Sequence, residues 1–396
     1  MAAVSSSFDQ AQVSLEVVGE LTISDRHITN LSKEMGSQLA AARDQRTDQF
    51  VKQPLPRQTT TPTTPIEVAA VFTDGGRART REPGCGPGVH NPRWRETKNA
   101  AFHRMTSVSS PTDPQPELPD CFRNQAYVEK LVRGLKGQTK QGPNEECRSE
   151  DTAGKGTTSS LSLPSWQPKT VYRTCLSSLA TSDEFGPMMA AAADVRGFFQ
   201  AHRQAFVGDG QAYNWTIHKR WFPDFVPIVD FVHAVEYVYE AAKAIHRDQA
   251  AHWQQYVAWA AACWQGRVAS VIADLEKWQS EQDPLPDEGA AEIDPRRVVA
   301  STITYLENNR RRMDYPNYRR EGLPVTSSLA ESLVKQINKR VKGTEMFWDD
   351  GPSGEAILQL RAAVLSDGAP LDEFIATRPI SPFSPRCRSA PLASSA

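Results

Sequence analysis

The chain has 396 residues, 39% hydrophobic and 23% charged, which is an ordinary globular composition with room for two modest cores. A formal net charge of −2 excludes a uniformly basic nucleic-acid binder but permits basic patches. The six cysteines form no C-x-x-C pair, which argues against a zinc ribbon or a disulfide framework. No apolar run is long enough for a membrane helix and the first ten residues do not resemble a signal peptide, so we expect a cytoplasmic protein without a membrane partner.

The N-terminal segment, residues 1–52, has apolar residues at helical spacing on both sides of a polar turn near residue 24. Two short helices with a turn between them predict a helix-turn-helix. Its exposed face would carry Arg26, His27, Thr29 and Asn30. A small two-helix packing element explains the same pattern. The Pro- and Thr-rich residues 53–65 are interpreted as a linker.

Residues 66–230 predict the first part of an α/β core. Strands are expected at 66–73, 96–105, 170–176, 205–207 and 226–230, with helices near 183–200 and 215–220. Within this part, residues 106–168 are rich in Pro, Ser, Thr, Gln and Gly. We interpret them as a low-complexity excursion on the surface.

The second half of the chain is predominantly helical. An apolar stripe predicts a long helical region over 231–281, a Pro-rich break follows at 282–295, and helices resume at 296–313 and 327–342. The resulting division assigns 231–300 to a helical insertion, 301–348 to the last part of the core, and 349–396 to a C-terminal helix with a loose tail.

Three carboxylates occupy positions that chemistry often uses. Asp74 and Asp209 each end a predicted strand and are followed by glycine, and Glu331 lies in the first turn of a predicted helix. If they converge, their oxygens suit Mg²⁺, and two such ions about 4 Å apart promote phosphodiester chemistry. Structural roles remain open, because Asp-Gly pairs are common in turns and Ser328 to Glu331 fits a capping box.

Basic residues cluster on either side of these carboxylates. Near Asp74 and Glu331 they suggest contacts with a phosphate backbone, although charged runs are more often simply solvated faces. The candidates for DNA binding are Arg77, Arg79, Arg93, Arg95, Arg311, Arg312, Lys335 and Lys339. Four aromatic residues of the helical region, Trp253, Tyr256, Trp259 and Trp264, could stack on an unpaired base but at this spacing are more typical of a helical core.

Four separated blocks of the sequence resemble DDE transposases of bacterial insertion sequences, in particular the ISKra-type group related to the Mutator-like superfamily. The blocks are TDGGRARTREPGCGPGVHNPRWRETKNAAFHRM (73–105), FVGDGQAYNW (206–215), VDFVHAVEYV (229–238) and LPVTSSLAESLVKQINKRVKGTEMFW (323–348). They occur in the order of the family, and each of the three acids falls inside one block. The likeness covers most of residues 10–365 in patches and skips 106–168.

The resemblance implies an RNase H-like mixed sheet flanked by helices, with an all-helical insertion and a small N-terminal helix-turn-helix. It implies that Asp74, Asp209 and Glu331 form the catalytic, metal-binding triad. Asp230 and His233 match the family's C/D-x-x-H signature and are expected to support the site as accessory residues.

The implied activity is metal-dependent cleavage and strand transfer at insertion-sequence ends. The expected cofactors are two Mg²⁺ ions, for which Mn²⁺ can substitute, and the expected partner is double-stranded DNA at transposon ends and target. Association with the nucleoid and a homo-oligomer on DNA would follow. The alternatives are a truncated, catalytically inactive transposase-derived DNA-binding protein and an unrelated nuclease that shares the triad.

Overall fold

The computed structural model describes residue 5 and residues 7–80, 93–139, 166–283, 294–326, 336–337, 348 and 352–377. In these ranges five strands form one mixed sheet: β1 (Val68–Thr80), β2 (Arg93–Thr106), β3 (Lys169–Ser178), β4 (Arg203–Gly208) and β5 (Val226–Val229). Their order is β3-β2-β1-β4-β5. Strands β1 to β3 pair antiparallel, whereas β4 and β5 run parallel to β1.

Helices surround this sheet, so the α/β class and the mixed sheet flanked by helices are confirmed. In chain order they are α1 (Phe8–Gly19), α2 (Asp25–Val51), α3 (Gln125–Thr139), α4 (Ser182–Val195), α5 (Ala212–Trp221), α6 (Phe231–Ile245), α7 (Gln249–Trp264), α8 (Val268–Ser280), α9 (Pro295–Asn309), α10 (Tyr315–Arg320), α11 (Pro352–Leu365) and α12 (Pro370–Thr377).

The two faces of β1 bury different cores, because successive side chains of a strand point to opposite sides. Val68, Ala70 and Phe72 belong to a cluster that includes the buried residues of α6 to α9. Ala69 and Val71 belong to a second cluster with residues of α4 and α5. The central strand is therefore apolar throughout its first half, as expected for a strand covered on both faces.

Strand β1 is longer than the sequence pattern predicts. Its pairing with β4 stops at Thr73 and Gly208, but its ladder with β2 continues to Thr80 opposite Arg93. The expected strand ended before Asp74, since two glycines follow that residue. The additional residues form a two-stranded ribbon that extends beyond the β4 end of the sheet.

The N-terminal segment differs from two short helices. Helix α2 has 27 residues and lies against α4 and α11. A Cβ atom at Gly36 would lie 2.0 Å from the backbone oxygen of Ala356, so the two helices approach closely there. Arg26, His27 and Asn30 are exposed at the start of α2. The linker segment is anchored, because the backbone and hydroxyl of Thr60 both donate to Asp194, each at 3.0 Å.

The expected surface excursion at 106–168 is wrong for its first part. Residues 107–139 contain a 3-10 helix at Asp120–Arg123 and helix α3. They insert apolar side chains into the main core: Leu118, Phe122, Val128, Val132 and Leu135. Packing of these side chains outweighs the Pro- and Ser-rich composition. Residues 140–165 lie outside the described ranges.

The long helical region expected at 231–281 is divided into three helices. Helix α6 ends before His246, α7 begins after its N-cap Asp248, and α7 and α8 are separated at Gly266, whose φ is +74°. Helix α9 then continues to Asn309, beyond the expected end of the insertion at residue 300. No helix in the described parts of the chain has the length and apolar character needed to cross a membrane.

Candidate active site

Three aspartates lie where the parallel pairing of three neighbouring strands ends: Asp74 within β1, Asp209 after β4 and Asp230 after β5. The last ladder pairs are Thr73 with Gly208 and Gly208 with Val229, and the next residues are Asp74, Asp209 and Asp230. Adjacent strands lie about 4.8 Å apart, so the three backbones are close at one edge of the sheet. Alternate side chains of a strand point to the same face. Asp74 therefore points, like Ala70 and Phe72, toward the face covered by α6 and α9.

A cavity of about 1830 Å³ opens at this edge. Asp74, Asp209 and His233 line it together with residues of α6 and α9. Two of the three predicted catalytic carboxylates are thus brought to one cavity. The third, Glu331, lies outside the described residues.

Asp209 is fixed by hydrogen bonds. Its Oδ1 accepts from the backbone N–H of Gln211 at 3.0 Å and from Nδ2 of Asn214 at 2.8 Å. Asn214 is fully buried and accepts from the hydroxyl of Thr73 at 3.1 Å, so the amide links the ends of β1 and β4. Burial raises the pKa of the Asp209 carboxyl, although the positive charge of His233 and these hydrogen bonds oppose the effect.

The turn after Asp209 is held from the other side by α9. The hydroxyl of Tyr305 donates to the Asp209 carbonyl at 3.0 Å, and Nδ2 of Asn309 donates to the Gly210 carbonyl at 3.4 Å. Gly210 has a φ of +95°, and a Cβ there would lie 2.5 Å from the Tyr305 ring. Position 210 therefore requires glycine, both for its backbone conformation in the turn and for the close approach of Tyr305 from α9.

His233 places a positive charge among the carboxylates. Its Nδ1 lies 3.7 Å from Oε2 of Glu236, one turn along α6. Burial disfavours the imidazolium, but the ion pair with Glu236 and the charges of Asp230, Asp209 and Asp74 outweigh burial and raise the pKa of His233 to about 10. The protonated ring offsets part of the repulsion between the acids.

Asp230 has a structural role that the sequence pattern did not predict. Its side chain caps α6 by accepting from the backbone N–H of Val232 at 3.0 Å, and the residue is only 1% exposed. Among the residues that the structure describes, no three His, Cys, Asp or Glu side chains form a group that could hold a metal ion. Asp74 and Asp209 still fit Mg²⁺, which typically takes one or two carboxylates and several waters.

The predicted DNA-binding residues occupy different environments. Arg77 is exposed and lines the cavity, as does the half-buried Arg312. Arg79 is half-buried over the ring of Trp94, and Arg95 donates to the Leu179 carbonyl at 3.1 Å. Arg311 is exposed. Arg93 lies on β2, but nothing is described of its side chain, and Lys335 and Lys339 lie outside the described residues.

The aromatic residues proposed for base stacking belong to the core. Tyr256, Trp259 and Trp264 are at most 4% exposed, and Trp253 packs at the edge of the same cluster. The hydroxyl of Tyr256 donates to the Phe122 carbonyl at 3.1 Å. Their helical spacing reflects the packing of α7 against α6 and the 107–139 segment, so the structural interpretation is the correct one for these residues.

Comparison with known proteins leaves the site to be interpreted by its own geometry. No protein-family model matches the chain, and no curated protein matches it significantly.

Sequence reasoning missed several residues around the two aspartates. Tyr305 and Asn309 come from α9, about a hundred positions beyond the turn that they hold. Glu236 had a usable signal, since it follows His233 by three residues on a helix and such residues are neighbours. Trp94 and Tyr213 lie inside the quoted sequence blocks, but nothing in their local sequence indicates that they line a cavity.

Proposed function

We propose that this protein is a DDE-type transposase that cleaves DNA and transfers strands at insertion-sequence ends. The observation that carries the proposal is the position of Asp74 and Asp209, which directly follow the last residues that pair β1 with β4, Thr73 and Gly208, and which both line one cavity. Paired carboxylates at such an edge suit metal-dependent phosphodiester chemistry. The catalytic triad of the proposal is completed by Glu331.

The topology supports an RNase H-like core. Three antiparallel strands are followed by two strands parallel to the first, with β1 at the centre. This arrangement puts the first acid on the first strand and the second acid just after the fourth, as the resemblance implies. Helices α6 to α9 follow the second acid and fit the expected all-helical insertion.

Asp74, Asp209 and, on this proposal, Glu331 would hold two Mg²⁺ ions, with Mn²⁺ as a substitute. Bound Mg²⁺ supplies Lewis-acid activation of the phosphodiester and of the attacking oxygen. Asn214 and the backbone N–H of Gln211 orient the Asp209 carboxylate, while Tyr305 fixes its backbone. His233 balances the negative charge between the acids, and Asp230 supports the site by starting α6.

In the proposed reaction, water attacks the phosphodiester at a transposon end. A new P–O bond forms and the P–O3′ bond breaks, so the departing oxygen takes a proton and leaves as a 3′-hydroxyl. In the second step that hydroxyl attacks a phosphodiester of target DNA: a P–O bond forms to the transposon 3′ end, the P–O3′ bond of the target breaks, and the departing target oxygen takes up the proton that the attacking hydroxyl loses. Double-stranded DNA is the proposed partner, a homo-oligomer on paired ends the proposed assembly, and the nucleoid the proposed location.

The proposal is tested by incubating the purified protein with duplex DNA that carries the sequences flanking its own gene, with Mg²⁺ or Mn²⁺. We expect nicks with new 3′-hydroxyl ends and strand-transfer products on a target plasmid. Asp74→Asn and Asp209→Asn should reduce cleavage by at least about 10³-fold, because the amide is a poor metal ligand. DNA binding in EDTA should remain nearly unchanged.

Asp224→Asn is the matched control. Asp224 is exposed and precedes β5, at the opposite end of that strand from Asp230, so its loss should leave cleavage unaffected. Cleavage that persists in Asp209→Asn contradicts the proposed site. Binding of the flanking DNA without any metal-dependent cleavage supports instead the catalytically inactive DNA-binding alternative.

A further inference from the structure

The cavity beside the two aspartates is larger than the usual site for a single small molecule. Its volume of about 1830 Å³ exceeds the range of about 300–1,000 Å³ that is usual for small-ligand sites. It is lined on one side by the β1–β2 ribbon and on the other by α6 and α9. A segment of an extended polymer fits such a space better than an isolated metabolite.

Aromatic rings paired with cations line this cavity. Arg79 lies over Trp94 at 5.2 Å, Lys98 over Tyr213 at 4.3 Å, and Arg312 over Trp215 at 4.4 Å. All three rings and Arg312 are lining residues. Each ring is half-buried, in contrast to the fully packed aromatic residues of α7.

Two of these pairs flank the aspartates closely. A Cβ built on Gly75, the residue after Asp74, would lie 3.7 Å from the hydroxyl of Tyr213, so that ring reaches β1 at the residue next to the first acid. Trp215 is bonded through its Nε1 to Asn309, which also holds the turn after Asp209, at 2.9 Å. One aromatic ring thus lies next to the residue that follows Asp74, and another is linked through Asn309 to the turn that follows Asp209.

This lining matches unpaired nucleotides better than a duplex. An unpaired base exposes both of its flat faces and stacks on aromatic rings or on guanidinium planes, whereas paired bases in a duplex stack on each other. The lining acids Glu236 and Glu240 share α6 with the lining cations His233 and Lys243, whereas Arg77 is an exposed lining cation on the β1–β2 ribbon. The phosphate backbone should therefore follow Arg77, while Arg312 stays over the Trp215 ring.

We infer that the cavity binds single-stranded DNA, with bases stacked at the Trp94 and the Trp215–Arg312 sides and the backbone passing the two aspartates. The inference deepens the proposed function and rests on it for the choice of DNA, since it specifies the unpaired state of the strand at the same site. Duplex DNA that reaches the site would be locally opened there.

The test measures binding without chemistry. Fluorescence anisotropy in EDTA compares labelled oligo(dT), a duplex of equal length and oligo(U) of equal length. We expect oligo(dT) to bind more tightly than the other two. Trp94→Leu keeps an apolar side chain but removes the aromatic stacking face, and should weaken oligo(dT) binding about 5- to 100-fold while leaving duplex binding nearly unchanged.

Arg312→Gln provides a second variant that does not alter the core, and Arg220→Gln is its matched control. Arg220 lies over Trp221 at 5.4 Å, so it forms the same kind of pair, but it is absent from the cavity lining. We expect Arg312→Gln to weaken oligo(dT) binding more than Arg220→Gln does. Thermal unfolding establishes whether each variant is folded. If Trp94→Leu does not fold, the comparison of Arg312→Gln with Arg220→Gln tests the inference by itself.

Several outcomes overturn the inference. Equal or tighter binding of the duplex removes the preference for an unpaired strand, and tighter binding of oligo(U) removes the assignment to DNA. Equal effects of Arg312→Gln and Arg220→Gln place binding outside the cavity. Single-strand binding in a protein that cleaves no DNA refutes the proposed function alone, whereas cleavage without single-strand preference refutes this inference alone.

Discussion

At the scale of single residues, the turn at Asp209 is held from two directions. Asn214 and the Gln211 backbone bind the carboxylate from the start of α5, and Tyr305 and Asn309 bind the backbone from the end of α9. A carboxylate fixed in this way is ready to bind a cation without first losing side-chain freedom. The helix that supplies Tyr305 therefore contributes directly to the geometry of the site.

Replacing Tyr305 by Phe removes one hydroxyl and leaves the Asp209 carbonyl without that donor. We expect the free energy of unfolding to fall by about 1 kcal/mol, the usual value for one such bond. Cleavage should fall by at least about tenfold, because small displacements of a reacting group are costly. Urea unfolding and the cleavage assay measure the two effects.

Tyr318→Phe separates positioning from stability. The Tyr318 hydroxyl also donates to a backbone carbonyl, that of Pro227 at 3.3 Å, but Tyr318 does not line the cavity. It should lose similar stability and keep its cleavage rate. Equal losses of activity in the two variants would mean that Tyr305 acts only through stability.

At the scale of secondary-structure elements, the local sequence pattern predicted the features that depend only on neighbouring residues. The strand at 66–73 was predicted because its apolar run is continuous, and its length was underestimated because the pairing of Gly75 and Gly76 with β2 is a tertiary property. The breaks in the long helical region had signals in Asp248, an N-cap, and Gly266. Their effect was underestimated because the apolar stripe continues across them.

The residues of the candidate site also fall into two groups, those that the local sequence predicts and those that depend on tertiary packing. Asp74 and Asp209 could be proposed from the sequence because each ends an apolar run. Their neighbours Tyr305 and Trp94 could not be found, because the contact depends on how α9 and the β1–β2 ribbon pack against the sheet edge. For the Trp-rich helix α7, the helical spacing already favoured a core over base stacking, and the buried positions of Trp259 and Trp264 agree with that.

Helix α11 is tied to the rest of the protein through Glu355. Its carboxylate accepts from the backbone N–H of Leu179 and the hydroxyl of Ser178, each at 2.8 Å, and forms an ion pair with Arg43 of α2. The side chains of Arg43 and Glu355 are only 9% and 18% exposed. One residue thus joins two helices to the end of β3.

Glu355→Ala should lower the free energy of unfolding by about 3–5 kcal/mol, because it leaves the buried Arg43 without this partner and two donors at the end of β3, Ser178 and Leu179, without this acceptor. Urea unfolding measures the change. Asp44→Ala is the matched control, since Asp44 also pairs with Arg43, at 2.7 Å, but is 54% exposed. Its loss should cost less than about 1 kcal/mol. Similar values for both variants would contradict a buried network at Glu355.

At the scale of the whole molecule, the N-terminal segment contains two helices of different character. Helix α1 leaves Val13, Val17 and Val18 between 53% and 74% exposed. Helix α2 instead buries Phe50 in the core cluster of α4 and α5 and approaches α11 at Gly36. The boundary that matters for stability therefore lies between α1 and α2, not at the linker after residue 52.

Two truncations distinguish this division from an independent N-terminal domain. A protein that begins at residue 25 should lose no more than about 2 kcal/mol, because α1 buries little apolar area. A protein that begins at residue 53 should fail to unfold cooperatively. It loses Phe50, worth about 3–5 kcal/mol, and Arg43, the partner of Glu355, worth a similar amount. The typical free energy of unfolding is only about 5–15 kcal/mol. Urea unfolding followed by tryptophan fluorescence measures both. A cooperative transition of unchanged midpoint in the shorter protein would show that residues 1–52 form a separate module, as a helix-turn-helix would.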